Sequence, residues 1–135
     1  MPIQIGINQE RKTRIYKDSV SAERDRRIST GGTFAVTGAY IPMLGGPADR
    51  ENLKALADVA QMRISSGDTT TVTAYRDAHD VVHNLVPGQL IELYSGAVAY
   101  VQAVYEASWT LKDGVPVGDV ADDVHWPTVP AEPSV

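Results

Sequence analysis

The sequence lacks cysteine altogether and has a single phenylalanine among its 135 residues. Without cysteine, the chain can form no disulfide bond, no thiolate metal site and no thiol nucleophile. No run of apolar residues approaches the ~20 that a membrane span needs. The N-terminal residues MPIQIGINQERK also lack the apolar segment of a signal peptide. These absences lead us to expect a soluble protein that is made in the cytoplasm and has no membrane partner.

Charge is unevenly distributed along the chain. Residues 1–27 contain seven arginines and lysines against four acidic residues, a net of +3, so the total of -5 leaves -8 for the rest. A basic arm on an acidic body predicts an arm that docks on an acidic surface, such as a neighbouring copy of the protein. The alternative is a charged stretch that is only solvated. Nucleic-acid binding is not favoured, because Tyr16 is the one aromatic residue in this arm.

The chain divides into three predicted regions: a basic N-terminal arm (1–27), an α+β domain (28–115) and an acidic, proline-rich tail (116–135). In the arm, Ile3, Ile5 and Ile7 alternate with other residues, which is typical of a short strand. The tail has four prolines and four acidic residues but no lysine or arginine, which favours an extended chain. Trp126 is the exception there, and we expect it to anchor the tail to an apolar surface.

The central region predicts an α+β fold with two β-hairpins and two helices, flanked by extended N- and C-terminal arms. β-Prone residues flank turns at Thr37-Gly38 and at Asp77 to Asp80. Helices are expected at about 47–64 and 87–112, because each begins with a proline and carries apolar residues at helical spacing. The second helix has a heptad-like seam formed by Leu90, Tyr94, Ala97, Val101, Val104, Ser108 and Leu111. We expect this seam to face the domain core, with packing against other copies as the alternative.

One segment, RDAHDVVHNL (76–85), looks like a metal-binding motif. His79 and His83 have the spacing of the H-E-x-x-H zinc proteases, with Asp80 in place of glutamate. That chemistry needs both histidines on one helix face, one turn apart. The threonines before the segment and Val81-Val82 favour strands instead, in which residues four apart are separated by about 13 Å. We therefore interpret the segment as a polar hairpin turn and expect no metal site.

No other catalytic pattern stands out. The glycine pairs in GGTF and GGPADREN do not match a phosphate-binding loop. Ser95 in YSGA lacks the G-x-S-x-G context and falls inside the second predicted helix. We therefore expect neither enzyme activity nor a cofactor.

The order of the segments resembles a small uncharacterised domain family of tailed phages and prophages, often found at or near the C-terminal end of tail-fibre-type and related virion proteins. The likeness runs from Ile28 to about Trp126 and is carried in order by RRISTGGTFAVTGAYIPM, ADRENLKALADVAQ, AYRDAHDVVHNLVPGQLIEL and AVAYVQAVYEASWTLKDG. This chain departs from the pattern in two ways. His79-Asp80 stand where an asparagine-type turn is common, and the domain makes up nearly the whole chain. The second departure favours an adaptor, collar, baseplate or decoration subunit over a fibre.

The resemblance implies a structural protein of a tailed-phage virion, present as a homo-oligomer and in contact with other virion proteins. The alternatives are a tail-fibre assembly factor or chaperone and, less favoured, a small metal-dependent hydrolase. We expect the arm to add a strand to a neighbour's sheet, its arginines to meet an acidic surface, and an aromatic anchor to hold the tail. The residues assigned to partner binding are Ile3, Ile5, Ile7, Arg11, Arg14, Arg24, Arg26, Arg27, Val124 and Trp126.

Overall fold

A computed structural model describes the backbone of residues 2–134 and the side chains of residues 8–134. Within those residues the elements are, in order, α1 (Pro2–Thr30), β1 (Gly32–Val36), β2 (Ala39–Met43), α2 (Pro47–Ser65), β3 (Thr73–Arg76), β4 (Val82–Leu85) and α3 (Pro87–Asp113). A 3-10 turn, Asp123–His125, interrupts an otherwise irregular C-terminal tail. None of the helices in this part of the chain is long and apolar enough to cross a membrane. The predicted α+β class, both hairpins and both central helices are confirmed.

The N-terminal region is a helix, and our expectation of an extended arm that begins with a strand was wrong. Helix α1 includes the backbone of the predicted strand. The side chains of Ile3, Ile5 and Ile7 lie outside the described residues, and so does their expected contact with a neighbour. An alternation of three isoleucines is short enough to fit a helix as well as a strand, and the charged residues that follow it decided the outcome.

Local interactions explain why the charged region is helical. Glutamate, arginine and lysine are good helix formers. Glu23 forms ion pairs with Arg26 and Arg27, three and four residues further on, which is the spacing that brings side chains together on a helix. Gly31 ends the helix in the left-handed conformation, with φ of 68°. Its N–H donates back to the carbonyls of Arg27 and Ile28.

Helix α3 lies at the centre of the fold. Helices α1 and α2 pack along it, and the β1–β2 hairpin lies against it. The buried core comes from all three helices, both hairpins and the tail: Val20, Ile28, Phe34, Val36, Ile41, Met43, Leu53, Ala60, Tyr75, Leu85, Leu90, Leu93, Ala97, Tyr100, Val104, Leu111 and Trp126. The buried face of α3 is rotated from the predicted seam, because Leu93 and Tyr100 are buried while Tyr94 and Val101 lie half-buried at its margin. The arm and the tail therefore contribute to the same core as the central region.

Both hairpins are antiparallel pairs. Strands β1 and β2 pair with Gly32 opposite Met43, and β3 and β4 pair with Thr73 opposite Leu85. The threonine run before β3 is a loop despite its β propensity, because the Asp68 carboxylate accepts two of its N–H groups. An Asx-type turn of this kind competes with the strand.

Candidate interaction surface

Helix α1 runs antiparallel to α3 and extends past its end. The Tyr16 hydroxyl donates to the Leu111 carbonyl, 3.0 Å away, near the end of α3. Further along α1, the Arg24 guanidinium lies 4.8 Å from the ring centroid of Tyr105. Every described side chain of α1 before Tyr16 is exposed. We call residues 8–15 the projecting segment.

The projecting segment presents a basic surface with one apolar residue. It contains Arg11, Lys12 and Arg14 against a single acid, Glu10. Among the described residues, none of these four side chains forms an ion pair. Ile15 is 62% exposed. Such a surface is suited to an acidic partner that also offers an apolar contact.

The C-terminal half of α1 holds the tail through Arg27. This arginine is only 5% exposed and bonds Glu23 at 2.9 Å, the Ala121 carbonyl at 2.9 Å and the Asp123 carboxylate at 2.7 Å. Its guanidinium also lies 5.3 Å from the ring centroid of Trp126. Arg27 therefore binds groups of its own chain, whereas the sequence led us to predict that it binds a partner.

Trp126 is the second residue that holds the tail against the rest of the chain. Its ring is 6% exposed, and its indole N–H donates to the Val120 carbonyl at 2.7 Å. Closer to α3, the Val117 N–H lies 3.4 Å from the Tyr16 hydroxyl. The apolar surface that holds Trp126 belongs to the same molecule. Val124, by contrast, is 78% exposed and remains open to a partner.

Arg24 and Arg26, which were also predicted to bind a partner, are paired within α1 but are less buried than Arg27. Arg26 is exposed and bonds Glu23 at 2.6 Å. Arg24 is half-buried and bonds Asp25 at 2.8 Å. The hydrogen bond from Arg26 lowers the pKa of Glu23, burial opposes the shift, and the hydrogen bond from Arg27 adds to it. This carboxylate therefore stays charged and pairs with both arginines, the exposed Arg26 and the buried Arg27.

The segment that resembled a metal motif is a hairpin turn built on a buried aspartate. The Asp77 carboxylate accepts the N–H groups of His79 at 2.8 Å and Val81 at 3.0 Å. Its other oxygen lies 2.7 Å from Nε2 of His83. Asp80 takes the left-handed conformation at the turn, with φ of 63°. Both carboxylate oxygens of Asp77 thus have structural partners in the turn.

Electrostatics support this interpretation of the turn. Burial alone would raise the pKa of Asp77, but the hydrogen bonds from His83 and from the two backbone N–H groups outweigh it, so that its pKa lies below the ordinary value. Asp77 is therefore an ionised buried acceptor. No group of three or more histidine, aspartate or glutamate side chains suited to a metal ion occurs among the residues that the structure describes.

Sequence reasoning missed a groove between α2 and α3. The groove has a volume of about 400 Å3 and is lined mainly by Met43, Pro47, Arg50, Tyr94, Val98 and Val101. Arg50 has a buried Nε with no hydrogen-bond partner. No sequence signal distinguishes this arginine from the other charges at the start of α2. Trp109 was also missed, although its position four residues after Tyr105 on α3 could have marked it as a neighbour, and the two rings do lie 6.4 Å apart.

The chain matches one family model along most of its length. No curated protein and no solved structure matches the chain. The family model matches residues 9–127, which is most of the chain and includes α1 from Gln9 onward, both hairpins, α2, α3 and the tail through Pro127. The chain therefore belongs to the family described as a domain of unknown function, DUF4376.

Proposed function

We propose that the protein is a structural subunit of a tailed-phage virion that acts through contacts with copies of itself and with other virion proteins. On this proposal it is made in the host cytoplasm, carries no cofactor and catalyses no reaction. The resemblance of its ordered segments to phage virion domains supports the phage assignment. The projecting segment of α1 supports the mode of action and is the single observation on which the proposal depends.

A projecting helical segment of this kind would be stabilised by a partner. Most helical stability in proteins comes from packing, and only the second half of α1 packs on its own chain. Residues 8–15 bury none of their side chains within the described chain, since all of them are exposed. A neighbouring subunit would supply the missing surface.

Charge complementarity suggests what that surface is. Arg11, Lys12 and Arg14 make the projecting segment basic, whereas the chain after residue 27 carries a net charge of -8. Opposite charges at an interface speed association and fix its orientation. An acidic face of a second copy, or of another virion protein, is therefore the expected docking surface.

Mass spectrometry of purified virions tests the proposal. We expect the protein in particles of the phage that encodes it, at a fixed copy number per particle. If it is abundant in infected cells but absent from particles, the structural role is wrong and an assembly factor becomes the better explanation.

A matched pair of charge reversals tests the role of the projecting segment. We expect Arg14→Glu to reduce incorporation into particles. Arg76→Glu reverses an exposed arginine on β3 and should leave incorporation unchanged. Equal incorporation of both variants would rule out the segment as a docking element.

A further inference from the structure

The groove between α2 and α3 combines an apolar lining with one unsatisfied cation. Met43, Tyr94, Val98 and Val101 provide apolar surface, and Arg50 lies among them. Buried polar groups usually have hydrogen-bond partners, so the unpartnered Nε of Arg50 requires an explanation. That Nε is enclosed by the protein, so a ligand in the groove would instead meet the outer nitrogens of the guanidinium, with an acceptor oxygen next to an apolar group.

The charged neighbours of Arg50 in the groove do not supply an acceptor for its guanidinium. Lys54 lines the same groove, but it is itself a cation, paired with Asp58 at 3.1 Å, and offers no acceptor. Glu51 also lines the groove, yet it forms no ion pair with Arg50. A guanidinium presents a planar set of donors that matches a carboxylate. A carboxylate is therefore the expected acceptor.

The chain itself carries a segment with this chemistry. Glu132 lies in the sequence VPAEPS, where its neighbours are valine, alanine and prolines. Glu132 is exposed and has no ion pair with any described residue, and Val129 is 43% exposed. Proline-rich segments are stiff and extended, and they bind aromatic-lined grooves at low entropic cost.

A backbone hydrogen bond holds the tail at one edge of the β1–β2 hairpin. The Thr33 N–H donates to the Pro130 carbonyl at 2.8 Å, which places the tail along the edge of β1. The groove begins at Met43 of β2, on the other strand of that hairpin. The tail therefore lies on the β1 side of the hairpin and the groove on the β2 side, so we consider the groove of a second copy as its binding site.

We propose that the groove binds the tail of a second copy, with Glu132 of one molecule meeting Arg50 of the next. This inference rests on the proposed role as a subunit that contacts copies of itself. The tail and the groove are different surfaces, so the contact is head-to-tail. Repetition of such a contact closes into a ring or extends as a filament.

Sedimentation velocity of the full chain tests the contact. We expect concentration-dependent association that weakens about tenfold or more in Arg50→Glu, the loss of one well-paired charge. A chain that ends at Pro130 should lose association to a similar extent. Glu132→Arg combined with Arg50→Glu should restore it, and Asp119→Arg combined with Arg50→Glu should not. Circular dichroism should show that each variant is folded.

Mixing two defective variants gives the sharpest result. Arg50→Glu keeps its tail and the shortened chain keeps its groove, so an equimolar mixture retains one intact contact and should form heterodimers. A wild-type chain that is monomeric at all concentrations, or a mixture without heterodimers, would overturn the tail–groove contact. If the protein is nonetheless present in virions, the proposed structural role survives that result, so the two failures are distinguishable.

Discussion

The two halves of α1 have similar composition and opposite surroundings. Residues 8–15 are rich in arginine and lysine, and every side chain is exposed. Residues 16–30 are also rich in charge, yet they bury Val20 and Ile28 in the core and Arg27 beneath the tail. The difference lies in what the helix meets, since α3 and the tail cover only the second half. Among the described residues, the charged side chains of α1 form ion pairs only in residues 16–30, where α3 and the tail lie against the helix.

A substitution at Val20 has the largest expected effect on stability and distinguishes the two halves of α1. Val20→Asp places a carboxylate at a position with 0% exposure. We expect it to lower the free energy of unfolding by about 3 kcal/mol or more, because a buried charge without a partner is severely destabilising. Urea denaturation followed by circular dichroism measures the change.

Ile15→Asp is the matched control on the exposed half. The same substitution type, five residues earlier, should change the free energy of unfolding by no more than about 0.5 kcal/mol. Comparable destabilisation by both variants would show that residues 8–15 pack within the isolated protein, and the contrast between the halves would fail.

Arg27→Ala should have the next largest effect. It removes the bonds to Glu23, the Ala121 carbonyl and Asp123 together with the contact to Trp126. We expect a loss of about 2 kcal/mol, since the Ala121 carbonyl loses its partner and the buried side chain loses its packing, while Glu23 keeps its bonds to Arg26 and the exposed Asp123 is solvated. Hydrogen exchange of the Trp126 indole N–H should accelerate as the tail is released. Arg14→Ala should alter neither quantity, and an unchanged exchange rate in Arg27→Ala would mean that other contacts hold the tail.

The sequence predicted those parts of the fold in which local pattern and packing agree. Proline starts, helical spacing and turn residues located α2, α3 and both hairpins. They did not locate α1, because three alternating isoleucines and a run of charges fit either an arm or a helix. Whether Arg27 meets a partner or its own tail depends on contacts 94 and 96 residues away in the chain. The groove beside Arg50 likewise depends on the packing of α2 on α3.

The second hairpin also allows a comparison between a paired and an unpaired charge. Asp77 is its buried, hydrogen-bonded carboxylate. Asp77→Asn weakens three hydrogen bonds of a buried acceptor, so we expect a loss of about 1–2 kcal/mol near neutral pH. Because the folded-state pKa of Asp77 is lowered, its contribution is complete above the unfolded pKa of about 3.9 and disappears as the pH falls through the folded value. Urea denaturation should show wild type and variant converging at acidic pH.

Asp80→Asn is the control within the same turn. Asp80 is exposed and has a positive φ, which asparagine tolerates well. The substitution should change the free energy of unfolding very little at every pH. A pH dependence that remained intact in Asp77→Asn would assign the acid sensitivity of this hairpin to another group.

The smallest effect on stability is expected where the local disruption of the helix is greatest. Thr13→Pro removes a helical N–H in the projecting segment and disfavours helical geometry at the preceding residue. In a packed helix this change costs about 3 kcal/mol. Here we expect the free energy of unfolding to change by less than about 0.5 kcal/mol, because no described side chain of residues 8–15 is buried. Helical ellipticity should nevertheless fall, and incorporation into particles should fall with it. A variant that lost ellipticity but was incorporated normally would show that the segment need not be helical to dock.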